Sequence, residues 1–134
     1  MLSNKRIAIA ILNYNGLNLL KKFLPSVVKH SDKKLSTIYI IDNGSDDESN
    51  IYVKNKFPEI KIIQNDKNYG YAGGYNKGLS KIDYDYYVLL NNDVEVTEGW
   101  LNPMFELLES DESFATCQPL SLIHIWRCRR SFVG

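Results

Sequence analysis

Asp93 is the acid best placed to do chemistry, in the run Leu89-Leu90-Asn91-Asn92-Asp93-Val94-Glu95. The apolar stretch before it, Tyr86-Tyr87-Val88-Leu89-Leu90, has the composition of a buried strand, so the acid stands where that strand runs out. A hard divalent cation takes oxygen ligands, and usually only one or two protein carboxylates, with substrate phosphates and water supplying the rest. Asp93 suits the carboxylate role, and Asn91 offers an uncharged oxygen or a donor beside it. A strand-ending turn accounts for the same residues without any ligand.

Asp42 stands in the same relation to Thr37-Ile38-Tyr39-Ile40-Ile41. A carboxylate at a sheet rim can accept hydrogen bonds from the base or ribose of a nucleotide. Asp42-Asn43-Gly44-Ser45 is also good turn chemistry, and taken alone the turn is favoured. Between these two acids lies Asn68-Tyr69-Gly70-Tyr71-Ala72-Gly73-Gly74-Tyr75-Asn76-Lys77-Gly78. Gly70, Gly74 and Gly78 would stack on one helical face, at a cost of about 1 kcal/mol each relative to alanine. Close approach of a ligand to that face, or tight packing of helix on sheet, would offset the cost. The segment is neither a Walker loop nor a GxGxxG fingerprint, so ATP and NAD folds are not supported. His30 and His124 are isolated, and no Ser/Cys–His–acid arrangement can be argued from them.

The elements that must position these residues alternate. Ile7-Ala8-Ile9-Ala10-Ile11-Leu12 is an apolar run suited to a strand buried on both faces, ending at Asn13-Tyr14-Asn15-Gly16. Leu17, Leu20, Phe23, Leu24, Val27 and Val28 follow at helical spacing, with Pro25 expected to kink or divide the helix. After the strand at 37–41, Ser45-Asp46-Asp47-Glu48 has the form of a capping box opening a helix to about Lys56. A short strand is expected at 60–63, then a turn over 65–74 leading into a helix to about Ile82. The strand at 86–90 follows, then a helix from Glu98 to about Glu109 capped by Thr97, and a fifth strand at 114–117. This βαβαβαβα(β) order predicts an α/β sandwich with a mainly parallel sheet. In such sheets ligands sit beyond the carboxyl ends of the strands, where all these polar clusters fall.

Composition narrows the partners. Lysine plus arginine equals aspartate plus glutamate at 16 each, so no bulk field draws the chain to nucleic acid. No apolar run reaches bilayer-spanning length, and the N-terminus lacks a signal-peptide layout. Only Cys117 and Cys128 are present, with neither metal-ligand spacing nor a disulfide framework, so a cytoplasmic setting is expected. Arg127, Arg129 and Arg130 cluster in a chain whose earlier basic residues are almost all lysine. Residues 120–134 are therefore expected to be an atypical, foreign or out-of-frame extension to the domain at 1–119.

Together, Asn13-Tyr14-Asn15-Gly16, Asp42-Asn43-Gly44-Ser45-Asp46-Asp47, the Asn68-to-Gly78 motif and Leu90-Asn91-Asn92-Asp93-Val94 resemble family 2 glycosyltransferases, closest to the bacterial rhamnosyltransferase-like subgroup. The resemblance runs from about Lys5 to Pro119. It implies a GT-A, Rossmann-like three-layer α/β sandwich, here truncated on its C-terminal side. It also implies a nucleotide-diphosphate sugar donor, Mg²⁺ or Mn²⁺, and inversion during transfer to an acceptor hydroxyl in cell-surface polysaccharide synthesis. By the same resemblance Asn13 and Asn15 edge the nucleotide pocket, Asp42 meets the base or ribose, and Tyr14 and Asn43 are nucleotide-binding beside them. Asn68, Gly70 and Asn76 line the nucleotide side of the cleft, Asn91 and Asn92 belong to the nucleotide-binding set, and Asp93 holds the metal against the diphosphate. Asn91 replaces the first acid of the family's DxD motif. The catalytic base is expected downstream, so no catalytic residue is assigned and the chain alone is expected to lack turnover. Glu95 and Glu98 have only proximity to recommend them. A glycan or lipid-linked acceptor, peripheral association with the inner membrane face, and self-association through an open sheet edge are further expectations. The alternatives are a nucleotidyltransferase-like enzyme, which should carry a glycine-rich basic loop after the first strand, and a non-catalytic nucleotide-binding α/β module.

Overall fold

A computed structural model describes residues 4–119. The chain divides into two compact units, Met1–Thr97 and Glu98–Gly134. The first holds strands β1 (Ile7–Asn13), β2 (Ser36–Asp42), β3 (Lys61–Gln64) and β4 (Tyr86–Asn91), with helices α1 (Leu17–His30), α2 (Ser49–Lys56) and α3 (Gly70–Leu79) between them. All pairings are parallel and the sheet order is β3-β2-β1-β4.

Side chains alternate across a strand, and this assigns the helices to layers. Ile11 lines a narrow gap with Leu20, Phe23, Leu24 and Val27 of α1, while its neighbours Ala10 and Leu12 pack with Tyr75 of α3. Helix α1 therefore covers one face and α3 the other. Helix α2 lies beside α1, with the Lys21 ammonium 5.8 Å from the centroid of the Tyr52 ring. The core of β1 is closed on both sides: Ile7, Ala8, Ile9, Ala10 and Ile11 are all buried.

The glycine stripe separates into two roles. A Cβ on Gly78 would lie 2.5–2.8 Å from three side-chain atoms of Ile41, and one on Gly74 would lie 2.9 Å from Leu12 Cδ1. These two glycines let α3 settle onto β1 and β2, so helix-on-sheet packing accounts for them. Gly70 has open space around it and a φ of +74°, so its role is to turn the chain into α3.

Several local expectations are corrected. Pro25 does not divide α1, which runs on to His30. The capping box does not form, because Ser45 Oγ accepts from Asn15 N at 2.9 Å and α2 begins only at Ser49. Asp47, one residue before the N-cap Glu48, anchors the entry to α2 instead: its carboxylate accepts from Ser49 N (3.0 Å) and Ser49 Oγ, and also from Leu17 N (3.1 Å) at the start of α1. Burial works to raise the pKa of Asp47, but these hydrogen bonds outweigh it and hold the group below the usual carboxylate value. Strand β4 is not a buried strand. It is the sheet edge, with Tyr87 42% and Leu89 36% exposed on the α3 side.

The second unit contains α4 (Asn102–Ser110), which starts four residues later than the Glu98 start expected from Thr97. Gly99, at φ +73°, bends the chain first, and Pro103 then occupies the first turn of the helix. Residues 114–117 form no strand: Phe114 N donates to Asp111 O at 3.1 Å in a turn, and the Phe114 ring is exposed. Cys117 is half-buried and free, and burial raises its thiol pKa. His124, Cys128 and the whole 120–134 segment lie outside the described residues.

Candidate functional site at the β1–β4 crevice

Successive strands step from β1 to β2 to β3, and the chain then crosses back to place β4 on the far side of β1. The order reverses between β1 and β4, which is where an open α/β sheet presents its ligand crevice. Those two strands end at Asn13 and Asn91, so Asn13, Asn91, Asn92 and Asp93 gather at that switch point.

Pairing register sorts the polar strand ends by face. Asn13 lies opposite Asp42, on the face that Ile11 presents to α1, and Leu12 lies opposite Asn91 on the α3 face. On the α1 side, Asn13 is fully buried: its Oδ1 accepts from Asn92 Nδ2 at 3.1 Å and its Nδ2 donates to Ser45 Oγ at 3.5 Å. A Cβ at Gly16 would collide with this Asn13–Asn92 pair, so the loop needs glycine there. Asn15 adopts φ +49°, and its Oδ1 accepts from Asp46 N (2.8 Å) and Asp47 N (3.3 Å). The β1–α1 and β2–α2 loops are thereby tied into one platform. Tyr14, at its tip, is 48% exposed.

Asp42 is not at the rim as expected. Its side chain is fully buried, with Oδ2 accepting from Ser45 N at 3.0 Å and Oδ1 left without a hydrogen-bond partner. As the loops stand, they close it off from solvent. On the α3 side, Asn43 is the hub. Its Nδ2 donates to Asn68 Oδ1 and Gly70 O, both at 3.0 Å, and its Oδ1 accepts from Asn65 Nδ2 and Tyr69 N, both at 3.2 Å. Asn68 Oδ1 also accepts from Gly70 N at 2.8 Å, an Asx turn that opens α3. Asn43 and Asn68 therefore spend their side chains on the platform. Asn76 is exposed and lies six residues into α3, about 9 Å along the helix from Gly70, so it does not join the strand-end cluster.

Tyr71 and Tyr75 were not singled out from the sequence. Tyr75 is buried, and its hydroxyl donates to Leu90 O at 3.1 Å and accepts from Leu12 N at 3.4 Å, bridging β1 and β4 just below the crevice. Burial pushes its pKa far up, so it stays a neutral phenol. The Tyr71 ring packs edge-on against Tyr75, with centroids 5.1 Å apart, and its hydroxyl donates to Asn91 Oδ1 at 3.4 Å. Ser45 and Asp47, expected in a capping box, and Asn65, expected only in a strand-end turn, also build the site. Their one sequence signal was position, each falling within a few residues of a strand end.

Asp93 is exposed, and no hydrogen bond or ion pair among the described residues occupies its carboxylate. Among those residues no three His, Cys, Asp or Glu side chains gather to enclose a metal. The chain therefore fits a divalent ion only as an open, one-carboxylate site in which phosphate oxygens and water complete the shell. A separate groove of about 350 Å³ between α1 and α2 is lined by Leu17, Lys21, Ile51, Tyr52 and Lys56, among others, and by none of the strand-end residues.

This geometry defines a doubly wound α/β protein with its polar groups gathered at the switch point. The chain matches the family model of glycosyl transferase family 2 over residues 8–123 and belongs to that family. It is 29% identical over 107 residues to the uncharacterized glycosyltransferase YwdF of Bacillus subtilis, covering 78% of this chain and 39% of that protein. It is 27% identical over 124 residues to the mouse inactive polypeptide N-acetylgalactosaminyltransferase-like protein 5, covering 87% of this chain and 29% of that one. Among solved structures, the mannosyltransferase PcManGT of Pyrobaculum calidifontis in complex with GDP-Man and Mn²⁺ superposes with a TM-score of 0.71 at 16% identity, over 79% of this chain and 33% of that one. The fold is thus the GT-A α/β fold, and the chain spans about a third of the length of these proteins, a partial domain.

Proposed function

We propose that this chain is the donor-binding part of an inverting, rhamnosyltransferase-like glycosyltransferase that takes a nucleotide-diphosphate sugar with Mg²⁺ or Mn²⁺ and serves cell-surface polysaccharide synthesis at the cytoplasmic face of the membrane. The observation that carries this reading is the free Asp93 carboxylate at the β1–β4 switch point, beside the Asn13–Asn92 pair. The ligands bound in the structural neighbour PcManGT, GDP-Man and Mn²⁺, agree with that chemistry. Asp93 would hold the metal, and a bound divalent ion would neutralise the charge that develops on the departing nucleotide diphosphate. Asn13 and Asn15 hold the two loops that floor the nucleotide pocket, and exposed Tyr14 offers an aromatic surface at its edge. Asp42 Oδ1, buried and unpaired, is the acceptor left for a base or ribose donor once the covering loops shift. The base that deprotonates the acceptor hydroxyl is assigned to no residue of this chain.

A relative named inactive supports a second reading, a family member that binds nucleotide without turnover. Titrating UDP, dTDP and GDP with and without Mn²⁺ tests the shared core of both. At least one should bind with Mn²⁺-enhanced affinity, and Asp93→Asn should remove the enhancement while leaving stability within about 0.5 kcal/mol of wild type. Mn²⁺ enhancement that survives Asp93→Asn would refute the metal assignment.

A further inference from the structure

We propose that Tyr71 is a positioning residue that fixes Asn91 as a hydrogen-bond donor to the phosphates of a nucleotide in the β1–β4 crevice, and not as a metal ligand beside Asp93. The inference rests on the proposed function and assigns one side chain within it. Asn91 is the last residue of β4 and lies opposite Leu12 on the α3 face. Tyr71 stands in the first turn of α3, and its hydroxyl donates to Asn91 Oδ1 at 3.4 Å. An amide has one acceptor end and one donor end. The Tyr71 hydroxyl turns Oδ1 toward α3 and so turns Nδ2 away from it, and no group among the described residues accepts from Nδ2.

The orientation of Tyr71 is inherited from the core. Its ring rests edge-on against Tyr75 at 76°, and Tyr75 is itself buried and bonded to the β1 and β4 backbones. Burial also raises the Tyr71 pKa, so the phenol keeps its proton and continues to donate. The exposed amide beside Asp93 is thus held with its N–H bonds free, which suits phosphate oxygens and repels a cation. The metal is left with Asp93 as its single carboxylate from this cluster.

A double-mutant cycle on the full 134-residue chain tests this. Side-chain amide NMR comes first: the Asn91 Nδ2 pair, identified by its loss in Asn91→Ala, should shift in Tyr71→Phe without ligand present. Titration of UDP, dTDP and GDP with Mn²⁺ then reads the role. Tyr71→Phe should weaken the best-bound nucleotide about fivefold in the wild-type background and have no effect in the Asn91→Ala background. Mn²⁺ affinity without nucleotide should be unchanged by either substitution. Equal losses in both backgrounds, or an unmoved Asn91 amide pair, would overturn the assignment. Failure of wild type to bind any of the nucleotides would instead remove the functional reading, and the role of Asn91 with it.

Discussion

Replacing Asn43 by alanine separates a scaffold role from a ligand role more sharply than any other substitution. Four hydrogen bonds converge on its side chain: donations to Asn68 Oδ1 and Gly70 O at 3.0 Å, and acceptances from Asn65 Nδ2 and Tyr69 N at 3.2 Å. A net contribution of about 0.5–1.5 kcal/mol per bond sets the scale. Asn68 and Gly70 are exposed and can turn to water, so their share sits at the low end. Asn65 is buried and its Nδ2 keeps only Gly74 O, at 3.3 Å, while the Tyr69 amide loses its acceptor, so their share sits higher. The sum is a loss of about 2–3 kcal/mol, on the order of 10 °C in Tm for a unit of this size. Urea unfolding followed by circular dichroism, without nucleotide, measures it. If Asn43→Ala unfolds within about 0.5 kcal/mol of wild type yet loses nucleotide binding, the hub argument is wrong and Asn43 contacts the ligand directly.

Gly78→Ala should destabilise despite the better helix propensity of alanine. The gain of about 1 kcal/mol is outweighed by overpacking against buried Ile41, leaving a net loss of about 1–2 kcal/mol in urea unfolding, and a stabilised variant would contradict the packing. Asp47 predicts an acid-side effect. Its folded pKa is depressed, so its stabilisation is complete above the ordinary value of 3.8 and is lost as pH falls through the lower folded value. Wild-type urea midpoints should therefore decline below about pH 4, and Asp47→Ala should flatten that decline; an unchanged slope would refute the bridging role.

The sheet was legible because its signals are local. Six consecutive apolar residues before Asn13, rich in isoleucine and closed by a polar turn, suit a strand covered on both sides, and that is where β1 lies. The same logic misread β4. Tyr86-Tyr87-Val88-Leu89-Leu90 looks equally apolar, but its place at the sheet edge depends on strand order, which no local pattern encodes. The capping box failed for a related reason. Ser45 had a local partner in the helix that follows, but the Asn15 amide, thirty residues earlier in the chain, claimed its hydroxyl.

What the sequence could not show is how the strand-end asparagines divide their labour. All of them carry the same amide and all follow strands, so composition treats them alike. The two-residue period of the sheet sends Asn13 toward α1 and Asn91 toward α3, while burial decides which amides are spent. An amide inside the platform must satisfy both its ends within the protein, as Asn43 does with four bonds, and has nothing left for a ligand. An exposed amide at the crevice can leave one end open, as Asn91 does, at no desolvation cost until a ligand arrives. Polar residues concentrate at this edge because two demands meet there. The loops that follow parallel strands need side-chain hydrogen bonds to hold their turns, and a nucleotide needs donors and acceptors that are not already engaged. Asn43 and Asn68 answer the first demand, and Asn91 and Asp93 are the exposed groups at that edge that the proposed nucleotide site would draw on.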